Sequence, residues 1–137
     1  MSTARLKVSL EPIVDTDVWI DFLRGYAPAV TFIKALPDRV FISAISVAEL
    51  HVGVREGAER QALDQLLSTL EVLDLNTVIA TKGGLLRRDY GRSHSVGLND
   101  ALIAATAQEH DLQLCTLNVK HYPALAKEQL KRAYTKA

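Results

Sequence analysis

Three carboxylates end or interrupt apolar runs in this chain. They are Asp15 in Pro12-Ile13-Val14-Asp15-Thr16, Glu49 in Ser46-Val47-Ala48-Glu49-Leu50, and Asp100 in Asn99-Asp100-Ala101-Leu102-Ile103-Ala104-Ala105. They are distant in sequence, yet the carboxyl ends of separate strands in a parallel α/β sheet meet in one crevice. Carboxylates crowded there repel one another and lose hydration unless a cation joins them. Hard oxygen ligands suit Mg²⁺ or Mn²⁺, so the expected chemistry is metal-assisted attack on a phosphoester. Each acid also has an ordinary explanation. A strand-end Asp caps a helix, Ser46-x-x-Glu49 is a capping box, and an acid in a first helical turn complements the macrodipole. The combination within one α/β chain is what carries weight.

The elements that must position these residues follow from periodicity. Ile13 to Asp15 reads as a short strand, followed by a helix over Asp17 to Leu23 with Val18, Trp19, Phe22 and Leu23 on one stripe, ended by Gly25. A second helix follows Pro28, with Val30, Ile33 and Leu36 inward, and Pro37 stops it. Val40 to Ser43 is a strand, Ser46 opens a helix closed near Gly57, and Leu63, Leu66, Leu67 and Leu70 mark another helix. Glu71 to Leu75 alternates like a strand, and a long helix runs from Val78 to Tyr90. Asn99 caps the next helix, whose alanines allow close approach to a sheet, and Leu112 to Thr116 is a further strand. The tail is ambiguous: Pro123 to Arg132 is readable as a helix, with a last short strand near Tyr134. Alternating strands and helices imply parallel βαβ units, a doubly wound sheet with helices on both faces.

The chain has 137 residues, which suits a leader over residues 1–11 and a single domain over 12–137. Apolar residues make up 48% and charged residues 23%, which excludes a disordered chain. No apolar run has the length of a membrane span, and the first residues lack an apolar signal region. The single Cys115 cannot pair internally and reads as a core residue, consistent with a cytoplasmic location. Net charge is zero, so the global field does not point to nucleic acid. Basic residues nevertheless cluster at Arg5 and Lys7, around Arg87, Arg88 and Arg92, and from Lys120 through Lys127, Lys131, Arg132 and Lys136. They are either solvated faces or a rim that holds a phosphate backbone.

Four segments carry a resemblance to a known family: Val14 to Gly25, Ser43 to Gly53, Leu98 to Ala107, and Thr116-Leu117-Asn118-Val119-Lys120-His121-Tyr122. In this order and spacing they resemble a PIN domain, and within it the VapC-type ribonuclease toxins of toxin–antitoxin pairs. The resemblance implies a PIN-like three-layer α/β/α sandwich with a mostly parallel sheet. It implies a Mg²⁺- or Mn²⁺-dependent endoribonuclease that hydrolyses RNA with metal-activated water, leaving a 5′-phosphate and a 3′-hydroxyl. By matching positions, Asp15, Glu49 and Asp100 become metal ligands, with Asn118 as a fourth catalytic position. Thr16 and Thr116 become hydroxyls that orient the metal shell. Many PIN domains have Asp where this chain has Asn118, and a neutral amide argues against a tightly held second metal. Arg24 and Lys120 are candidates for RNA phosphate contacts, against a plain surface pair of Asp21 with Arg24. A homodimer and a VapB-type antitoxin are implied as well. Such an antitoxin is expected to place a basic side chain among the carboxylates, where a guanidinium binds through two hydrogen bonds.

Two other functions fit parts of this pattern. Asp15-Thr16-Asp17 after an apolar strand resembles phosphatases with a nucleophilic Asp and an acid two residues later, although Trp19 stands where they want Thr or Val and no late acidic pair follows. Asn118 alone suggests a PIN fold that has lost catalysis and serves as a binding module. Lys82-Gly83-Gly84 is neither a P-loop nor a dinucleotide fingerprint, and the four histidines show no zinc spacing with Cys115.

Overall fold

The structure, a computed structural model, describes residues 9–136. Most of the expected leader, with Arg5 and Lys7, lies outside the described residues. Five short strands, β1 (Pro12–Val14), β2 (Phe41–Ser43), β3 (Glu71–Leu73), β4 (Gln113–Thr116) and β5 (Leu130–Arg132), form one sheet in the order β3-β2-β1-β4-β5. Every neighbouring pair is parallel. Among the described residues six α-helices join β1 through β4, namely α1 (Thr16–Leu23), α2 (Ala27–Lys34), α3 (Ala44–Val52), α4 (Ala58–Ser68), α5 (Thr77–Tyr90) and α6 (Leu98–Glu109), and two 3-10 turns join β4 to β5.

Successive strand residues point to opposite faces of a sheet, and this alternation builds two cores. Ile13, Phe41 and Leu114 pack with Ile103, Ala104 and Ala107 of α6. Val14, Ile42 and Cys115 pack with Val18 and Trp19 of α1, Leu50 of α3 and Leu63 of α4. Helices therefore cover both faces, and the expected three-layer α/β/α sandwich is present. Residues 101–107 of α6 are all buried, as a helix wedged between a sheet and another helix must be. Cys115 is a buried free thiol in the second core, and burial pushes its pKa up to about 11.

The tail differs from the helical reading. Residues 123–132 hold a 3-10 turn at Lys127–Gln129 followed by β5, not a helix, and Tyr134 lies beyond the last strand. The outer edge of β4 would otherwise present unpaired backbone groups. β5 pairs with it from Leu114↔Leu130 to Thr116↔Arg132. Gln129 strengthens the join, its amide donating to the carbonyls of Ala107 and Leu112 at 3.1 and 3.3 Å.

Two strand-to-helix junctions have no loop. Asp15 alone separates β1 from α1, and β2 runs directly into α3. Ser43, the last residue of β2, is itself the N-cap of α3, its hydroxyl accepting from the Ile45 N–H at 3.0 Å. Ser46 is therefore inside the helix and fully buried, and the capping box read from Ser46 and Glu49 does not form. Gly57 does not close α3, which ends at Val52; it precedes α4 with φ +97°.

The outer helix pair makes a sharp test of the packing. An added Cβ on Gly83 of α5 would meet Leu102 Cδ2 at 2.5 Å and Leu102 Cα at 3.1 Å, whereas nothing lies within 4 Å at Gly84. Gly83→Ala is expected to destabilise by about 1–3 kcal/mol through overpacking, less the gain in helix propensity. Gly84→Ala is expected to stabilise by about 0.5–1 kcal/mol, because helical Ala is preferred to Gly. Urea melts of the two variants should move in opposite directions. A common direction would mean that α5 and α6 are not in this contact.

Candidate active site

Strand order reverses beside β1: the chain steps outward to β2 and β3, then crosses back to place β4 on the other side. In open α/β sheets the crevice at such a switch point, outside the carboxyl ends of the strands, is where ligands bind. Val14 pairs with Cys115 in register, so the next residues, Asp15 and Thr116, meet at the mouth of the crevice. The Thr116 hydroxyl donates to Asp15 Oδ2 at 2.8 Å.

Asp15 caps α1, with Oδ1 accepting from the Thr16 N–H at 2.7 Å. Oδ2 also accepts from the Tyr122 hydroxyl at 2.7 Å. Asp15 is 6% exposed. Burial is the main reason its pKa is pushed up to about 7, and the neighbouring Asp17 charge adds to it, against hydrogen bonds that favour the ion. The same Tyr122 hydroxyl lies 3.2 Å from Asp100 Oδ1, in the first turn of α6, so one phenol spans the two acids. Burial, followed by the charges of Asp15 and Asp100, holds this phenol far above its ordinary pKa, as a neutral donor. Asp100 Oδ2 faces His121 Nδ1 at 3.3 Å.

Glu49 is released from backbone capping by the position of Ser43 and reaches the same crevice. Thr16 Oγ1 lies 2.7 Å from both Glu49 Oε1 and Ser46 Oγ. A carboxylate only accepts, so the threonine proton goes to Glu49 and Ser46 donates in turn. The Asn99 amide donates to Glu49 Oε2 at 3.2 Å. Asn99 is therefore not the cap of α6, a place held by Gly97; it fixes the orientation of Glu49. Asn118 is exposed at the far side, its backbone N–H donating to Thr116 Oγ1 at 3.1 Å and its amide to Asp17 Oδ2 at 3.2 Å.

The structure thus brings Asp15, Asp100, Glu49, Asn118, Thr16 and Thr116 to one crevice. Among the described residues, no three Asp, Glu, His or Cys side chains stand close enough to grip one cation as they are placed. The hydroxyls of Tyr122, Thr116 and Thr16 occupy several of the carboxylate oxygens instead. The donor chemistry still fits a hard divalent cation: every donor is oxygen, two acids are pushed toward neutrality by burial, and Asp17 Oδ1 is buried with no hydrogen-bond partner.

Asp17 and Tyr122 are the site members that the ligand pattern passed over. In the sequence Asp17 reads as the start of a helix and as the second acid of a phosphatase, and Tyr122 as the end of a matching segment. Asp17 also binds the Leu117 N–H at 3.1 Å, tying the start of α1 to the turn after β4. Burial is the main cause that raises its pKa, and Asp100 contributes.

The cations divide by flank. Arg24 is exposed and lines a groove of about 450 Å³ with Glu49 and Arg55 between α1, α3 and α4. Arg24 does not pair with Asp21, which bonds Tyr134 at 2.7 Å and Lys136 at 2.9 Å. Burial alone would raise the Asp21 pKa, but the hydrogen bonds from Tyr134 and Lys136, together with the charges of Lys136 and Arg24, outweigh it and lower it. On the other flank a hollow of about 410 Å³ is lined by Asp17, Asn118, Arg132 and Lys136. Lys120 is exposed beside Asn118 in a 3-10 turn and lines neither hollow.

Residues 13–126 match the model of the PIN domain. Among curated proteins the chain is 47% identical over 122 residues to Ribonuclease VapC10 of Mycobacterium tuberculosis, covering 87% of this chain and 90% of that protein. It is 37% identical over 116 residues to Ribonuclease VapC19 of the same species, covering 81% and 91%. Among solved structures, a toxin–antitoxin complex from Klebsiella pneumoniae superposes with a TM-score of 0.80 at 29% identity, covering 92% of this chain and all of that one. VapBC-1 from nontypeable Haemophilus influenzae superposes with a TM-score of 0.71 at 26% identity, covering 90% and 98%.

Proposed function

This chain belongs to the PIN-domain family, among its VapC-type proteins, and on that premise we propose that it is an endoribonuclease toxin that hydrolyses RNA with Mg²⁺ or Mn²⁺ and is silenced by an antitoxin. The observation that carries the reading is the meeting of Asp15, Asp17, Asp100 and Glu49 at the switch point beside β1, with Asp15 buried and pushed up to about 7. Curated relatives named ribonucleases and solved toxin–antitoxin complexes support the substrate and the partner.

The division of labour follows from the hydrogen bonds. Asp15 and Asp100 are the anionic pair that would hold the cation, and Tyr122 and Thr116 fix their orientation. A divalent cation there supplies Lewis acidity at the scissile phosphate and makes bound water a stronger acid. Glu49, held from two sides by Thr16 and Asn99, orients the attacking water for in-line displacement. Arg24 at the rim meets an RNA phosphate upstream or downstream of the cut, through the fork geometry of a guanidinium. Lys120 adds a point charge beside Asn118. No helix among the described residues is long and apolar enough to cross a membrane, and a cytoplasmic homodimer is the setting we assign.

The reading is tested by expressing the chain with and without an antitoxin encoded beside it and sequencing new RNA 5′ ends. New 5′-phosphate ends are expected only when the antitoxin is absent and Asp100 is intact. Release of inorganic phosphate without new ends would instead favour the phosphatase. Ala in place of a basic antitoxin residue near Asp15 should weaken inhibition, and Mn²⁺ should compete with the antitoxin peptide. Binding indifferent to both would place inhibition elsewhere.

A further inference from the structure

The Asp17 carboxylate is used on one side only. Its Oδ2 accepts from the Leu117 N–H at 3.1 Å and from the Asn118 amide at 3.2 Å, with the Thr116 hydroxyl at 3.4 Å. Its Oδ1 is buried with no partner, and it is the only carboxylate oxygen in that condition among the described residues. A buried acceptor left unpaired is destabilising. No Lys, Arg or His pairs with Asp17 among the described residues. An acid that served only the dipole of α1 would sit as well in solvent, and the tie to Leu117 needs one oxygen. Neither role accounts for a second oxygen that is buried and unpaired in a group whose charge acts on Asp15.

We propose that Asp17 is a fourth acidic ligand of the crevice and supplies the negative charge that Asn118 does not. The inference rests on the metal-dependent reading above and deepens it. The two side chains touch, so the pair presents one negative charge, and exchanging acid and amide between the positions keeps that charge. Two carboxylates at this separation would repel unless a cation lay between them. Asn118 is thus the residue that allows Asp17 to be an acid in the metal-free protein, and Asp17 is the reason that the amide at 118 costs the site no charge.

The test is Mn²⁺ binding, followed by the loss of the free-ion electron paramagnetic resonance signal, on the wild type, Asp15→Asn, Asp17→Asn, Asn118→Asp and the exchange variant Asp17→Asn with Asn118→Asp. Asp17→Asn keeps an oxygen for the Leu117 N–H, and circular dichroism checks its fold. Asp17→Asn should weaken Mn²⁺ binding at least about tenfold, the lower end of what tuning groups at metal sites contribute. The exchange variant should recover most of that loss, and Asn118→Asp alone should bind more tightly than the wild type. Unchanged binding by Asp17→Asn, a loss that the exchange does not recover, or weaker binding by Asn118→Asp each overturns the role of Asp17. Those results leave the site reading standing provided that Asp15→Asn loses Mn²⁺. If the wild type does not bind Mn²⁺, or Asp15→Asn binds it equally well, the metal reading fails and the role of Asp17 falls with it.

Discussion

Asp15→Asn and Asp100→Asn are each expected to lower RNA cleavage by at least about 10²–10³-fold, the range lost when one preorganised charge-stabilising group is removed from an active site. Asp15 and Asp100 share the Tyr122 hydroxyl, so either loss leaves one carboxylate facing a neutral amide. The fold should persist. Asp100 is half-buried, and its carboxylate meets the Tyr122 hydroxyl and His121 Nδ1. Single-turnover cleavage of an end-labelled RNA, with thermal melts as a control of folding, measures the effect. Undiminished cleavage in excess EDTA, by the wild type, would refute the metal mechanism outright. Near-wild-type rates in Asp100→Asn with an intact fold would mean that Asp100 is chiefly a first-turn helix acid.

The metal-free protein is expected to lose stability as pH rises. The Asp15 pKa stands near 7 in the folded chain, against an ordinary 3.8. Between those values the folded state binds more protons than the unfolded state, so the stabilising contribution is complete at pH below the ordinary value. It fades as pH climbs toward 7 and is gone above that. The slope is at most about 1.4 kcal/mol per pH unit while one such group titrates. Asp17, raised as well, acts in the same direction. Asp21, whose pKa is lowered, acts in the opposite direction and only in acid. Denaturation at pH 5 and pH 7.5 should therefore show the wild type less stable at the higher pH, by up to about a hundredfold in the folding equilibrium. Asp15→Asn should flatten the dependence, and the slope is the cleaner readout, since its amide cannot satisfy the Thr16 N–H and both hydroxyls as the carboxylate does. Asp100→Asn should be no less stable than the wild type at pH 7.5 without metal. Two unit charges near 4 Å repel by about 4 kcal/mol at an effective dielectric near 20, before relaxation. Adding Mg²⁺ at pH 7.5 should restore the wild type by mass action, by about 2.7 kcal/mol at a hundred times its dissociation constant, and leave Asp15→Asn unmoved. A pH-independent wild type would show that Asp15 is ionised throughout.

Much of this arrangement is legible in the chain because it is local. Ile13-Val14 followed by an acid, and Leu114-Cys115-Thr116, announce buried parallel strands whose ends must coincide, and apolar stripes mark the earlier helices while the alanine run marks α6, which is buried all round. What escapes is set by contacts between distant segments. Ser46 and Glu49 have the spacing of a capping box, but β2 enters α3 without a turn and Ser43 takes the cap first. Asp17 looks like a dipole acid until its partners at Leu117 and Asn118 are seen. Tyr122 looks like a core aromatic, which it is, and nothing local shows that its hydroxyl ends between two acids. The tail reads as helical because local propensity favours it, while the open edge of β4 selects a strand.

The loopless junctions after β1 and β2 give the crevice no slack in chain length. One extra residue between Ser43 and Glu49 would turn Glu49 about 100° around α3 and move it about 1.5 Å along the axis, away from Thr16 and Asn99. One extra residue after Val14 would separate the cap of α1 from the strand that aims it. The link between β3 and α5, Asp74 to Asn76, is exposed and touches none of these residues. Single-residue insertions and deletions should therefore abolish activity at the first two places and be absorbed at the third. Among relatives of this chain, length variation should accumulate on the β3 side of the sheet and stop short at the two segments that deliver Asp15 and Glu49.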